Sequence, residues 1–301
     1  MSYLSGPVNN LADYQVEFNG FLMGPGTLYD VPPVWNFLDI AALKTMDQAR
    51  TWADGSWSGP DFADVLLPSM SVEVKGSTAA IFTAAVVALQ GAFAPNLSAV
   101  PLWVKLPGMP AMGIPAKTNK RNIPIDLTWN GNFSQASVQW RCPDPSWYSV
   151  PRTVTLAASG SASSGLVFPM FAPNVGAYTP PNAGADYGST TVAASSATIT
   201  NAGNSQAWPY VVVSGPCPGF TVNIDGNLVS YPQAIPAGQT VTVDYATGLA
   251  TLTGNIDRSY SFTSRQFSSV PPAVAGVAGS SSVFFTATTG TATITVADVT
   301  R

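Results

Sequence analysis

No histidine occurs anywhere in the 301 residues, and that absence excludes more chemistry than any motif does. It removes Ser-His-Asp and Cys-His catalysis, and it removes histidine-ligated metal sites of the zinc hydrolase type. Cysteine is limited to Cys142 and Cys217, too few for a structural zinc site or a disulfide framework. Two buried free thiols are expected, with a single bridge between them as the alternative. Glutamate is as scarce: Glu17 and Glu73 are the whole complement. Both fall inside predicted strands, whereas glycoside hydrolysis needs two carboxylates facing each other across a cleft. No spacing singles out an aspartate pair, although an all-aspartate site stays formally open. Phosphate loops and dinucleotide fingerprints are missing. The expectation is a protein with no catalytic residues, no metal and no cofactor.

Charge is the next shortage. Charged residues make up 9% of the chain, where roughly 25% is usual for soluble domains. Such a surface is weakly solvated, so much of it is expected to be covered by other subunits. A net charge of −4 argues against a nucleic-acid-binding face, which needs clustered Lys and Arg. No run reaches the ~18 apolar residues of a membrane span. The first residues, Met1 to Pro7, lack the basic start and apolar core of a secretion signal. These features predict a soluble protein made in a cytoplasm, with no membrane insertion.

Apolar residues, by contrast, reach 46%, enough for a sizeable core, and the length allows two domains. Tyr14–Phe18 alternates and is followed by the turn signal Asn19-Gly20 and by Gly24-Pro25-Gly26. Asp39 is a plausible N-cap for a short helix through Arg50, with Ile40, Leu43 and Met46 at helical spacing. Residues 52–61 are dense in turn formers; their aspartates, with Asp64, lack the spacing and the closing Glu of a calcium loop. In the next strand Met70, Val72 and Val74 share one face. Ser77 or Thr78 then caps a longer helix with an apolar stripe of Phe82, Val86, Leu89 and Phe93. Pro101–Leu106 and Arg121–Trp129 read as strands. The loop between them ends in the only basic cluster, Lys117, Lys120 and Arg121. A solvated loop and a contact with an acidic neighbouring subunit are equal readings of that cluster.

The stretch Ser137–Ser149 starts as an alternating strand, breaks at Pro143 and Pro145, and resumes with Trp147-Tyr148. It reads as a rigid joint. Trp140 ends the last strand before it, and Pro143 and Pro145 restrict the backbone. Asp144 is placed to accept backbone N–H bonds, and Trp147 and Tyr148 to pack between domains. Beyond it, short alternating strands are separated by Asn201-Ala202-Gly203-Asn204, Asp225-Gly226-Asn227, Pro236-Ala237-Gly238 and Thr247-Gly248. That pattern predicts an antiparallel sandwich or jelly roll, with a strand at Leu166–Pro169 and a long surface loop over Ala172–Ser189. The whole chain thus reads as an α+β first domain, residues 1–145, with an antiparallel sheet or barrel, one long packed helix and a short one. An all-β sandwich, residues 146–301, follows it. Trp208 with Tyr210, and Tyr178 or Tyr187, are the candidates for stacking on a sugar ring; core or edge packing is the plainer reading of Trp208.

In its order of features the chain resembles the distal tail proteins of long-tailed, siphovirus-type bacteriophages, which include minor tail proteins of actinobacteriophages. The resemblance runs through Phe18-Asn19-Gly20, Gly24-Pro25-Gly26, Asp54-Gly55 and Gly59-Pro60-Asp61. It continues through Trp140-Arg141-Cys142-Pro143-Asp144-Pro145-Ser146-Trp147-Tyr148-Ser149, Leu166–Pro169, and Asn201–Asn204 with Ala207-Trp208-Pro209. It implies a structural virion protein of the distal tail whose tail-tube-like first domain builds a hexameric ring, with a galectin-like second domain projecting outward. The implied partners are further copies of the chain, the tail tube protein, the tail-tip protein and other minor tail proteins. DNA would pass the lumen without specific binding. The alternative is a carbohydrate-binding adhesin with a cell-surface glycan as partner, and a polysaccharide hydrolase comes third. Replacing Trp147 by Ala is expected to loosen the angle between the domains without unfolding either.

Overall fold

A computed structural model describes residues 4–32, 36–158 and 195–301. The candidates Tyr178 and Tyr187, the predicted strand at Leu166–Pro169 and the loop over Ala172–Ser189 lie outside these described residues.

The first half contains β1 (Gln15–Phe18), β2 (Phe21–Met23), β3 (Tyr29–Asp30), β4 (Leu43–Thr45), β5 (Gln48–Ala49), β6 (Ser56–Trp57) and β7 (Asp61–Ala63). These are followed by β8 (Ser69–Lys75), α1 (Ala79–Ala92), β9 (Val100–Lys105), β10 (Met112–Asn122), β11 (Phe133–Arg141) and β12 (Trp147–Ser149). The main sheet runs β2-β1-β9-β10-β11-β8-β3 with every pairing antiparallel, and it bends into a nearly closed barrel. Asn19 and Gly20 both take positive φ, 50° and 84°. A tight two-residue hairpin demands that geometry, so Asn-Gly closes β1 onto β2. Met70, Val72 and Val74 face inward as their alternation predicts, beneath the Phe82, Val86 and Leu89 stripe of α1. Thr78 caps the helix, its hydroxyl accepting from the Ile81 N–H at 3.3 Å. Phe93 closes the other end, its N–H donating to the Leu89 carbonyl at 3.1 Å.

Two sequence expectations fail in this half. The short helix over Asp39–Arg50 does not form; that segment holds β4 and β5, which pair with β7 and β6. A helix of about three turns is marginal unless an apolar face is packed, and Ile40, Leu43 and Met46 have no core surface beneath them. Gly59 allows the extended alternative: a Cβ there would lie 2.3 Å from the Met46 carbonyl oxygen. Nor are Lys117, Lys120 and Arg121 on a loop. They lie on β10, which runs through Pro115 and a bulge between Thr118 and Lys120. The predicted strand Arg121–Trp129 becomes the end of β10 and a 3-10 turn, Leu127–Gly131, capped by Asp126. Trp129 from this turn packs edge-on against Phe82 at 4.8 Å.

The second half contains β13 (Arg152–Ala157), β14 (Ser196–Asn201), β15 (Tyr210–Ser214), β16 (Phe220–Ile224), β17 (Asn227–Tyr231) and β18 (Thr240–Asp244). After these come β19 (Leu249–Leu252), β20 (Ile256–Asp257), β21 (Ser264–Arg265), β22 (Gly279–Thr286), β23 (Thr291–Val296) and β24 (Val299–Thr300). They form two antiparallel sheets, β13-β23-β15-β18-β19-β20 and β14-β22-β16-β17-β21. Each strand turns alternate residues inward, so Val211, Val213, Val241 and Val243 of one sheet share a core with Val222, Val229 and Phe285 of the other. No α-helix occurs among the described residues of this half. Cys142 and Cys217 are buried free thiols, one in each half's core.

Candidate functional site: the junction of the two cores

The joint is built from the end of β11 onward. Trp140 is fully buried, with its ring 5.6 Å from Phe93, 5.8 Å from Phe37 and 5.9 Å from Phe18. Pro143 and Pro145 follow in an exposed and a half-buried position. Between them Asp144 accepts the Ser146 N–H on Oδ1 at 3.1 Å and the Tyr148 hydroxyl on Oδ2 at 2.6 Å. The short Asx turn allowed by the two prolines is therefore closed by a carboxylate that also reaches the next strand.

Strand β12 then switches the chain from one core to the other within two residues. Neighbouring side chains on a strand point to opposite faces. Trp147 is 6% exposed and belongs to the first core, edge-on to Phe37 at 6.1 Å, while Tyr148 packs against the second core. One edge of β12 pairs with β10, Gly113 opposite Tyr148, and the other with β24, Val299 opposite Tyr148. The barrel-like sheet of the first half thus continues, through β12, into the C-terminal strand.

A second motif closes on the same strand. Asn201 is fully buried, and its side-chain amide donates to the carbonyls of Ser205 (2.7 Å) and Pro271 (3.2 Å). Its Oδ1 accepts the N–H groups of Gly203 (3.0 Å) and Val299 (3.2 Å). Gly203 lies so close to β24 that a Cβ would sit 2.0 Å from the Val299 carbonyl oxygen. Asn204 exchanges two hydrogen bonds with the backbone of Arg301, whose Nε donates to Ser146 Oγ at 2.8 Å. Asp298 accepts the Ala202 N–H and the Arg152 guanidinium, at 2.7 and 2.6 Å. The Pro-Asp-Pro joint and the Asn-Ala-Gly-Asn turn, far apart in sequence, therefore grip one strand. Val299, Asp298, Arg301 and Arg152 carry this grip without any sequence signal, because their roles arise only from pairing across about 150 residues.

Burial holds the Cys142 thiol up at about 12, from an ordinary 9.0, with the charge of Asp144 adding to it. Burial also raises the Tyr148 hydroxyl above its ordinary 10.0, helped by its hydrogen bond to Asp144. In both cases the folded state keeps a proton that the unfolded chain releases. Their stabilising contribution is intact below the unfolded values and is lost as pH climbs towards the folded ones. Urea midpoints measured from about pH 8 to 11 should fall from about pH 9 upward, and less steeply in Tyr148→Phe. A midpoint flat to the alkaline end would contradict this.

The remaining sequence candidates lie elsewhere. Lys117 Nζ donates to the Leu97 carbonyl at 2.7 Å, and Arg121 donates to the carbonyls of Gln90 (2.5 Å) and Phe93 (3.3 Å) at the end of α1. Cations suit the negative end of a helix dipole. Lys120 is exposed beside them. Trp208 precedes β15 and is 38% exposed, while Tyr210 starts that strand half-buried. Glu17 is buried and accepts N–H groups from Val8 and Asn9, and Glu73 pairs with Lys75 at 2.8 Å, so each is tied into its own surroundings. Among the described residues no group of three or more His, Cys, Asp or Glu is placed to hold a metal ion, and no helix is long and apolar enough to cross a membrane.

These features define a class: a predominantly antiparallel β protein with a one-helix, barrel-like first half. Among the described residues, β12 and its pairing with β24 couple it to a sandwich of two antiparallel sheets. No family model matches the chain, and no curated protein is similar to it in sequence. Among solved structures, its fold is that of the Dit protein (gp 19.1) of phage SPP1, described as a paradigm of the hub adsorption apparatus in phages infecting Gram-positive bacteria. The TM-score is 0.59 at 11% identity, over 96% of this chain and 99% of that one. Chains from two structures of the phage p2 baseplate in its activated conformation, with calcium and with strontium, reach TM-scores of 0.48 and 0.47 at 8% identity. They cover 91% and 90% of this chain and 97% of each matched chain, at a similarity too low to define a common fold.

Proposed function

We propose that this protein is the distal hub of a long-tailed phage tail, a structural component rather than an enzyme. Six copies would close into a ring joining the tail tube to the tail tip, with DNA passing through the lumen. The observation that carries this reading is the end-to-end likeness to a hub protein, which spans both halves in one superposition. The low charge supports it, since a chain with only 9% charged residues has a weakly solvated surface that suits burial against neighbours. On this reading residues 1–145 form the ring, and residues 146–301 are a galectin-like sandwich presenting other minor tail proteins outward. The protein would be made in the host bacterial cytoplasm and act at the distal tip of the virion. Light scattering on the purified chain should give a mass near six copies, and electron microscopy should show rings with a central hole. A strict monomer at high concentration would count heavily against the hub.

In this role the joint is a brace that sets how far the sandwich leans from the ring. Trp147 is itself a member of the first core, so Trp147→Ala would cost stability as well as angle. Tyr148→Ala is the cleaner probe, because its ring sits on the second core and its hydroxyl on Asp144. Solution scattering should show a wider spread of orientations for Tyr148→Ala, with both halves folded. An unchanged profile would sink the brace.

A further inference from the structure

Residues 39–64 form an arm of two short ladders, β4 with β7 and β5 with β6, and every residue of those four strands is exposed. Isolated two-stranded hairpins are marginal in water. This one nevertheless carries Leu43, Met46, Trp52, Trp57 and Phe62 on its surface, Trp52 at 97% and Trp57 at 65% exposure. Large apolar groups concentrated on one projection mark an interaction surface. The arm is also acidic: its charged residues are Asp39, Asp47, Asp54, Asp61 and Asp64 against Lys44 and Arg50, a net −3.

A complementary surface lies on the same chain. The outward face of α1 carries no charge, unlike the polar outer face of an ordinary surface helix. It leaves Ala80, Thr83, Ala84 and Val87 exposed as an open patch of small and apolar side chains. At the end of the helix stand Lys117, Lys120 and Arg121, and none of the three has an ion-pair partner among the described residues. Their summed charge of +3 matches the −3 of the arm.

We infer that the arm of one copy docks onto the α1 face of the next, its aromatic side chains on the uncharged helix patch and its aspartates along the β10 cations. The partner is a second copy of this chain, because one molecule presents both the apolar arm and the uncharged helix patch, the acid and the base. The contact is head-to-tail, the kind that closes into a ring when the rotation permits. It rests on the ring reading above and names the surfaces that build it.

The test uses the full chain with two exposed positions substituted separately, Ser58→Cys on the arm and Ala88→Cys on the helix, each variant carrying a different tag. The native thiols are buried. A bis-maleimide added to the mixture should join the two tags, while Ser58→Cys alone should give no cross-linked pair. Trp57→Ser and Ala84→Glu should each raise the half-assembly concentration roughly tenfold or more, as loss of a central contact does. Lys120→Glu should weaken assembly, and Asp54→Lys in the same chain should restore it. Wild-type assembly with no cross-link between the tags and no effect of Trp57→Ser or Ala84→Glu would overturn the docking and leave the ring standing. A wild-type chain that stays monomeric would overturn both.

Discussion

Replacing Trp140 by Ala should lower the stability of the first core by about 3–5 kcal/mol, the range for deleting a large buried aromatic. Trp140 is fully buried and packs on Phe18, Phe37 and Phe93, from β1, the segment after β3 and the end of α1. Its loss would leave three separate elements facing one cavity. Trp140→Phe should cost much less, because the indole N–H has no hydrogen-bond partner among the described residues and no polar contact is lost. Two cores need not unfold together, so a single transition should not be assumed. Seven of the eight tryptophans precede residue 150, so tryptophan emission reports mainly the first half. Urea unfolding followed by that signal should show the large shift for Ala and a small one for Phe. Equal shifts would mean that the ring is held by something other than its packing.

Asn201→Ala is expected to be as severe for the second half, at about 3–5 kcal/mol. It would strand two buried N–H groups and two carbonyls, and each buried group left without a partner costs roughly 1–3 kcal/mol. The bonds lost run to Gly203, Ser205, Pro271 and Val299, so the damage should centre on β24. Hydrogen exchange should show the Val299 amide losing protection first, with that of Ser149, which donates to Asp298 at 3.0 Å, following. Gly203→Ala should produce the same pattern by another route, since its methyl would collide with the Val299 carbonyl. Loss of protection spread evenly over the sandwich would refute the idea of a local clamp.

How much of this was legible beforehand depended on the range of the interactions. The helix over Ala79–Ala92 was readable because its cap and its four-three-four apolar spacing lie within 16 residues. Strands β8 and β11 were readable because alternation is local, and Asn19-Gly20 because its turn needs only its own backbone. The arm was misread for a related reason. Its sequence carries a genuine helical spacing, and only the lack of a core beneath Ile40, Leu43 and Met46 lets pairing with residues 56–63 win. The strand β10 was hidden by its own Pro115 and Gly113. Gly113 is required because a Cβ there would meet the Trp103 ring at 2.7 Å, a contact that exists only once β9 and β10 have paired.

The sequence by itself determined that this protein has no histidine chemistry, little charge, a long helix in its first half, alternating strands in its second and a proline-interrupted stretch between them. Composition and short-range pattern suffice for such statements. Only the tertiary structure decided that the joint is a shared strand, with Trp147 turned to one core and Tyr148 to the other. It also decided that Asn201, Gly203 and the C-terminal residues lock that strand in place. Those contacts join positions 100 to 150 residues apart, and neither propensity nor periodicity carries information over that distance until the backbone has folded.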